Sequence, residues 1–162
     1  MVTSVDRNGF NIITVVLGAD TKKIRTKDSI KLIEYIYSNY ELVDLNELIE
    51  EEYINWININ KNRIRINKAK DSNIQINLEK NKCFSYPVKK EEIKDINIKI
   101  ENANLYFEAP VSKEKAIAML NVYLGDKRIL DLNIYIENEI KRKTWKDYFK
   151  ECLTFLIVRN IM

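Results

Sequence analysis

Leu120-Asn121-Val122-Tyr123-Leu124-Gly125-Asp126-Lys127-Arg128-Ile129-Leu130-Asp131-Leu132-Asn133-Ile134-Tyr135-Ile136 is the stretch that decides the fold. Leu120, Val122 and Leu124 lead into a Gly125-Asp126 turn, and Leu130, Leu132, Ile134 and Ile136 return from it. Successive side chains of a strand point to opposite faces, so a period of two gathers the aliphatic residues on one side. A hairpin patterned this way buries one face and wets the other, as antiparallel sheets do.

The same period runs upstream. Ile64 and Ile66 alternate with Arg63, Arg65 and Asn67, and Ile74, Ile76 and Leu78 alternate with Asn73, Gln75, Asn77 and Glu79. Phe84, Tyr86 and Val88 continue it, and Ile96, Ile98 and Ile100 stand against Asp95, Asn97, Lys99 and Glu101. From Tyr53 to Glu137 the pattern predicts about seven or eight short strands in an antiparallel sandwich or barrel, with Asn- and Lys-rich turns between them. Trp56 falls in this stretch and is expected in the core.

Towards the N-terminus, Val2–Val5 and Phe10–Leu17 flank Asp6-Arg7-Asn8-Gly9, and Asn-Gly is the strongest short hairpin signal. Ile12-Ile13-Thr14-Val15-Val16-Leu17 is apolar on both faces and so expects cover on both. Ile30, Ile33, Ile36, Tyr37 and Tyr40 recur at helical spacing, predicting a helix from about Asp28 to Tyr40 preceded by solvated charges at Lys22, Lys23, Arg25 and Lys27. Residues 41–52 read as an acidic connector. The expected domain division is therefore 1–44, 45–140 and 141–162.

The last segment predicts an amphipathic helix capped by Thr144. Trp145, Tyr148, Phe149, Cys152 and Leu156 fall on one face, widened by Leu153 and Phe155, while Lys146, Asp147, Lys150 and Glu151 lie away from it. The net charge of the 162-residue chain is only +3, yet residues 141–162 hold six basic side chains against two acidic, leaving residues 1–140 with 21 against 22. The positive excess thus sits in the tail, where Lys141, Arg142, Lys143 and Lys146 would meet anionic headgroups. The stretch from Cys152 to Val158, bounded by Glu151 and Arg159, is far too short to span a bilayer. A peripheral contact with an anionic membrane surface is the expectation.

Few catalytic chemistries survive this composition. With no histidine, His metal sites and His-assisted nucleophiles are excluded, and no cofactor or metal site is expected. Glu50-Glu51-Glu52 and Glu91-Glu92 are solvated runs, and no Gly-rich phosphate loop occurs. Ser112-Lys113-Glu114-Lys115 matches Ser-x-x-Lys formally, but it lies among charges between two strands, and a polar loop is the preferred reading. The neutral body argues against nucleic acid as a partner. Cys83 and Cys152 are expected as buried free thiols. No secretory signal precedes Val2, so the chain as given is expected in the cytoplasm.

Arg7-Asn8-Gly9-Phe10-Asn11-Ile12-Ile13-Thr14-Val15-Val16-Leu17-Gly18-Ala19, followed by Asp28-Ser29-Ile30-Lys31-Leu32-Ile33-Glu34-Tyr35 and Asn39-Tyr40-Glu41, resembles the end of the transpeptidase-like domain of D-alanyl-D-alanine carboxypeptidases, the low-molecular-mass penicillin-binding proteins. In that family a strand ending in Val-Leu-Gly leads to a Leu-rich helix closing in an aromatic-containing turn. Leu105-Tyr106-Phe107-Glu108-Ala109-Pro110-Val111 and Val122-Tyr123-Leu124-Gly125-Asp126-Lys127 are similar to its β-rich C-terminal domain, which a membrane-binding helix follows. The resemblance covers essentially the whole chain. It implies an antiparallel β-sandwich or barrel-like domain behind a hairpin-and-helix remnant of the transpeptidase-like domain.

The family removes a terminal D-alanine from the peptidoglycan stem peptide through a serine acyl-enzyme. Its Ser-x-x-Lys, Ser-x-Asn and Lys-Thr-Gly signatures lie upstream of the point that Met1 matches, so no catalytic role passes to any residue here. The resemblance implies a non-catalytic C-terminal fragment acting as stalk and anchor at the outer face of the cytoplasmic membrane, with peptidoglycan-associated proteins as further partners. The orphaned hairpin and helix are expected to pack on each other, on the β domain or on a second copy of the chain. Three alternatives stay open: the terminal helix docks in a protein groove, it packs into the β domain's own core, or Ser112 and Lys115 retain activity.

Overall fold

The computed structural model describes residues 1–71, 73–79 and 84–159, with side chains in the last helix to Ile157. Strands β1 (Val2–Arg7) and β2 (Phe10–Val15) precede helix α1 (Lys22–Asn39), β3 (Tyr40–Asp44) and α2 (Asn46–Asn60). Seven strands follow: β4 (Arg65–Asn67), β5 (Ile76–Leu78), β6 (Ser85–Lys89), β7 (Ile96–Glu101), β8 (Tyr106–Glu108), β9 (Lys115–Leu124) and β10 (Lys127–Ile136). Helix α3 (Trp145–Arg159) closes the order. The chain divides into two units, one of Met1–Asn46 with Cys83–Ile96 and the other of Glu47–Lys82 with Asn97–Met162.

In the first unit, Asn8 (φ 54°) and Gly9 (φ 82°) make the tight turn expected of Asn-Gly, and β1 and β2 pair from Arg7↔Phe10 to Val2↔Val15. Helix α1 starts six residues earlier than its apolar stripe suggests, because the Thr21 hydroxyl accepts from the Ile24 N–H and so caps it at Lys22. Lys22, Lys23, Arg25 and Lys27 are therefore helical. Tyr37 ties α1 to the hairpin: its hydroxyl donates to the carbonyls of Val5 and Phe10, and its ring meets Phe10 edge-on. Ile12, Val16 and Ile33 are buried, but Val2, Ile13, Val15 and Leu17 are exposed. The doubly apolar strand is thus covered on one face only. Strand β6, expected among the β-domain strands, pairs instead with β3 in this unit.

In the second unit β9 and β10 form the ladder that the 120–136 repeat predicts, with Leu120↔Leu132 and Ala118↔Ile134 facing the core. They are the centre of an antiparallel sheet ordered β5-β10-β9-β7, and β4 and β8 form a parallel pair beside it. Register shifts at Arg128/Leu130 and Ile134/Tyr135 mark bulges, which bend a strand and increase its twist. The sheet curls accordingly into a half-barrel. Against it packs a core of Trp56, Ile64, Val111, Ile117, Ala118, Ile134, Ile136 and Ile140.

Residues 41–60 depart from the pattern. The acidic connector is strand β3 followed by α2, and residues 53–60 are helix rather than strand. Ile49, Tyr53, Trp56 and Ile57 lie at i, i+4, i+7 and i+8, and burying that stripe outweighs the local alternation of Ile and Asn. The Tyr53 hydroxyl donates to the Ile76 carbonyl at 3.1 Å and pins the helix to β5. Burial raises the Tyr53 pKa, and the neighbouring Tyr135 adds to the shift.

Candidate functional site

Helix α3 and the segment that carries it form the candidate site. Residues 141–143 are stitched along residues 68–70: the Lys70 N–H donates to the Lys141 carbonyl, the Lys143 N–H donates to the Lys68 carbonyl, and Ala69 bridges Arg142. Val111 and Ile140 exchange two further backbone bonds just upstream. The helix then begins on a firm base. Thr144 is its N-terminal cap position, though by different chemistry from that expected. The Thr144 hydroxyl and N–H both donate to Asp147 Oδ2, at 2.7 and 2.8 Å, so the acid three residues on supplies the acceptor. Those bonds from Thr144 hold the Asp147 carboxyl below its usual range.

Asp147 and Glu151 stand one turn apart on the same face, and both pair with the β unit or its exit segment. Lys143 Nζ lies 2.5 Å from Glu151, and Lys70 Nζ lies 3.9 Å from Asp147. The bond to Glu151 raises the Lys143 pKa. Lys143 also sits over the Tyr148 ring, and Lys146 over Trp145. With its acidic flank held, the apolar arc of α3 is left bare: Trp145 is 72% exposed, Phe149 58% and Leu156 54%, with Tyr148, Cys152, Leu153, Phe155 and Ile157 also exposed. Among the described residues the apolar arc of α3 is not packed into the β core. Cys152 is a bare thiol, not a buried one, because it shares this uncovered arc; Cys83 lies outside the described residues.

The basic residues fare unequally. Lys143 is engaged by Glu151 and Arg142 by Glu108 at 3.7 Å, whereas Lys141 and Lys146 form no ion pair among the described residues. Glu108, drawn below its usual range by Lys68 and more weakly by Arg142, anchors the exit segment. Sequence reading missed these pairings. Only the i, i+4 spacing of Asp147 and Glu151 hinted that the polar flank had a partner.

Beside this root lies a groove of about 390 Å³. Ile64, Ile66, Ala69 and Ile74 line it with Arg65, Lys70, Lys143 and the carboxylates of Asp71 and Glu151. Ser112 and Lys115 sit apart from it, Ser112 exposed in a loop and Lys115 at the start of β9. Among the described residues no group of His, Cys, Asp and Glu could hold a metal, and no helix is long and apolar enough to cross a membrane.

A curled antiparallel sheet with one helix packed on its core and another leaving its exit segment defines a β-rich module. The family model for the C-terminal domain of penicillin-binding protein 5 matches residues 58–142, just over half of the chain, and the chain belongs to that family. Its fold is similar to penicillin-binding protein 5 from Haemophilus influenzae, at a TM-score of 0.55 and 19% identity. It is also similar to the D-alanyl-D-alanine carboxypeptidase DacD from Francisella tularensis, at 0.51 and 22%. Each likeness covers 88% of this chain, which spans 38% and 33% of those two proteins.

Proposed function

We propose that this chain supplies the non-catalytic C-terminal part of a peptidoglycan D-alanyl-D-alanine carboxypeptidase, with the β unit as stalk and α3 as a peripheral membrane anchor. The observation that carries the reading is the bare apolar arc of α3 above an acidic flank that is already engaged. A large apolar side chain gains about 1.5–3 kcal/mol on full burial, so Trp145, Phe149 and Leu156 together can supply several kcal/mol. Each cation near an anionic leaflet adds about 1 kcal/mol, and Lys141 and Lys146, which form no ion pair among the described residues, can do so. An α-helix satisfies its own backbone, which entry into the apolar boundary of a bilayer requires.

Co-sedimentation with vesicles containing an anionic lipid tests the reading. The chain is expected to pellet and the same chain lacking residues 141–162 to stay in solution; equal pelleting defeats it. Binding that ignores lipid and salt but needs a protein partner would turn the same arc into a docking helix.

A further inference from the structure

We propose that the groove at the root of α3 binds the phosphodiester headgroup of an anionic glycerophospholipid, an inference that rests on the membrane reading of α3. The groove has the makings of an amphiphile site. Its volume of about 390 Å³ lies within the range of ligand pockets. Its floor of Ile64, Ile66 and Ala69 is apolar, and Ile64 is buried, so a fully hydrated anion would waste that surface. Arg65, Lys70 and Lys143 supply three cations to the rim against the two carboxylates of Asp71 and Glu151.

Glu151 now occupies the place of the anion. Its carboxylate holds Lys143, whose side chain is only 23% exposed, while the pairing of Lys70 with Asp147 is long. Glu151 is itself more than half exposed and belongs to α3, so a modest adjustment of that side chain frees Lys143. A phosphodiester offers the same acceptor geometry with more oxygens, and it can lie between Lys70 and Lys143 where a single carboxylate reaches one of them. The lining keeps an excess of one positive charge with Glu151 in place and of two once Glu151 swings away, and this excess and continuity both favour lipid. The groove adjoins a helix whose apolar arc would lie in the acyl boundary, so one lipid could place its headgroup on the rim and its chains beside the helix.

Generic attraction and a built site are separable by position. Lys70→Gln with Lys143→Gln removes two groove charges; Lys141→Gln with Lys146→Gln removes two charges outside it. Nonspecific attraction costs each pair the same, roughly fivefold per lysine in the preference for phosphatidylglycerol over phosphatidylcholine vesicles. The groove pair is expected to lose about tenfold more than the control pair; equal losses overturn the proposal. Glu151→Gln, which releases Lys143, is expected to raise the preference, and a fall or no change counts against it. Soluble glycerol phosphate, followed by amide shifts at Lys70 and Lys143, is expected to bind far more weakly than lipid; binding as tight as lipid would make the site one for free phosphate esters and overturn the proposal. Wild-type chain that pellets with neither vesicle, or a Trp145→Ala, Phe149→Ala, Leu156→Ala variant that pellets like wild type, defeats the membrane reading itself and the groove proposal with it. Normal pelleting with equal losses in the two lysine pairs defeats only the groove.

Discussion

Helices α2 and α3 are each 15 residues long, and each carries an apolar stripe with a single tryptophan, yet one is core and the other is bare. Trp56 on α2 is 9% exposed and packs on the half-barrel; Trp145 on α3 is 72% exposed. The difference lies in which side each helix turns to the β unit. Helix α2 presents its apolar stripe and leaves Glu47, Glu50 and Glu51 in solvent. Helix α3 presents Asp147 and Glu151 to Lys70 and Lys143 and leaves the apolar arc outside. Amphipathicity alone therefore says that a helix has two sides, and the partners of its charges say which side is spoken for.

The largest test of this contrast is stability. Trp56→Ala should cost about 3–5 kcal/mol in denaturant unfolding, as large core truncations do, whereas Trp145→Ala should leave the midpoint unchanged. Equal losses would mean that α3 is packed after all. Next comes partition: Trp145→Ala with Phe149→Ala and Leu156→Ala should weaken vesicle binding by about a hundredfold or more with the thermal transition unmoved.

A third surface sharpens the comparison. Val2, Ile13, Val15 and Leu17 form a bare apolar face on the hairpin, but neither β1 nor β2 has a second neighbouring strand among the described residues. Open strand edges need hydrogen-bonding partners that lipid cannot offer, so this face calls for protein where α3 suits a membrane. Pairing with a second copy is the expectation. Light scattering should show a dimer that Ile13→Lys with Val15→Lys converts to monomer; a wild-type monomer at high concentration breaks it.

The smallest effect is on pH. The Asp147 pKa is depressed by its bonds from Thr144, so its contribution is present above the usual aspartate range and is lost as pH falls through the depressed value. Helicity from α3 should decline in acid, and Asp147→Asn should remove that dependence in a circular dichroism titration. The Lys143 pKa is raised, so the Lys143–Glu151 contribution holds below the usual lysine value and fades as pH climbs through the raised one.

Much of the fold was legible because strand alternation is local. Leu120 to Ile136 and Asn8-Gly9 carry their structure in adjacent residues. The stretch from Ile54 to Asn60 misled because Ile and Asn nearly alternate there, while the helical stripe that wins starts back at Ile49 among glutamates. Strand β6 has the period of its neighbours, and nothing in that period reveals that its partner is β3 rather than the half-barrel sheet. At the candidate site the apolar arc was readable from spacing. The pairs to Lys70 and Glu108 were not, since they join residues far apart in the chain.

The stitching of residues 141–143 along 68–70 also has a mechanical meaning. Any tension arising at α3 enters the molecule through that seam, where two backbone hydrogen bonds flank the Ala69–Arg142 bridge. Two more backbone bonds, between Val111 and Ile140, lie directly behind it, so load entering at the helix is shared by backbone pairs before it reaches the half-barrel. A mooring line is only as good as its cleat, and here the cleat is backbone.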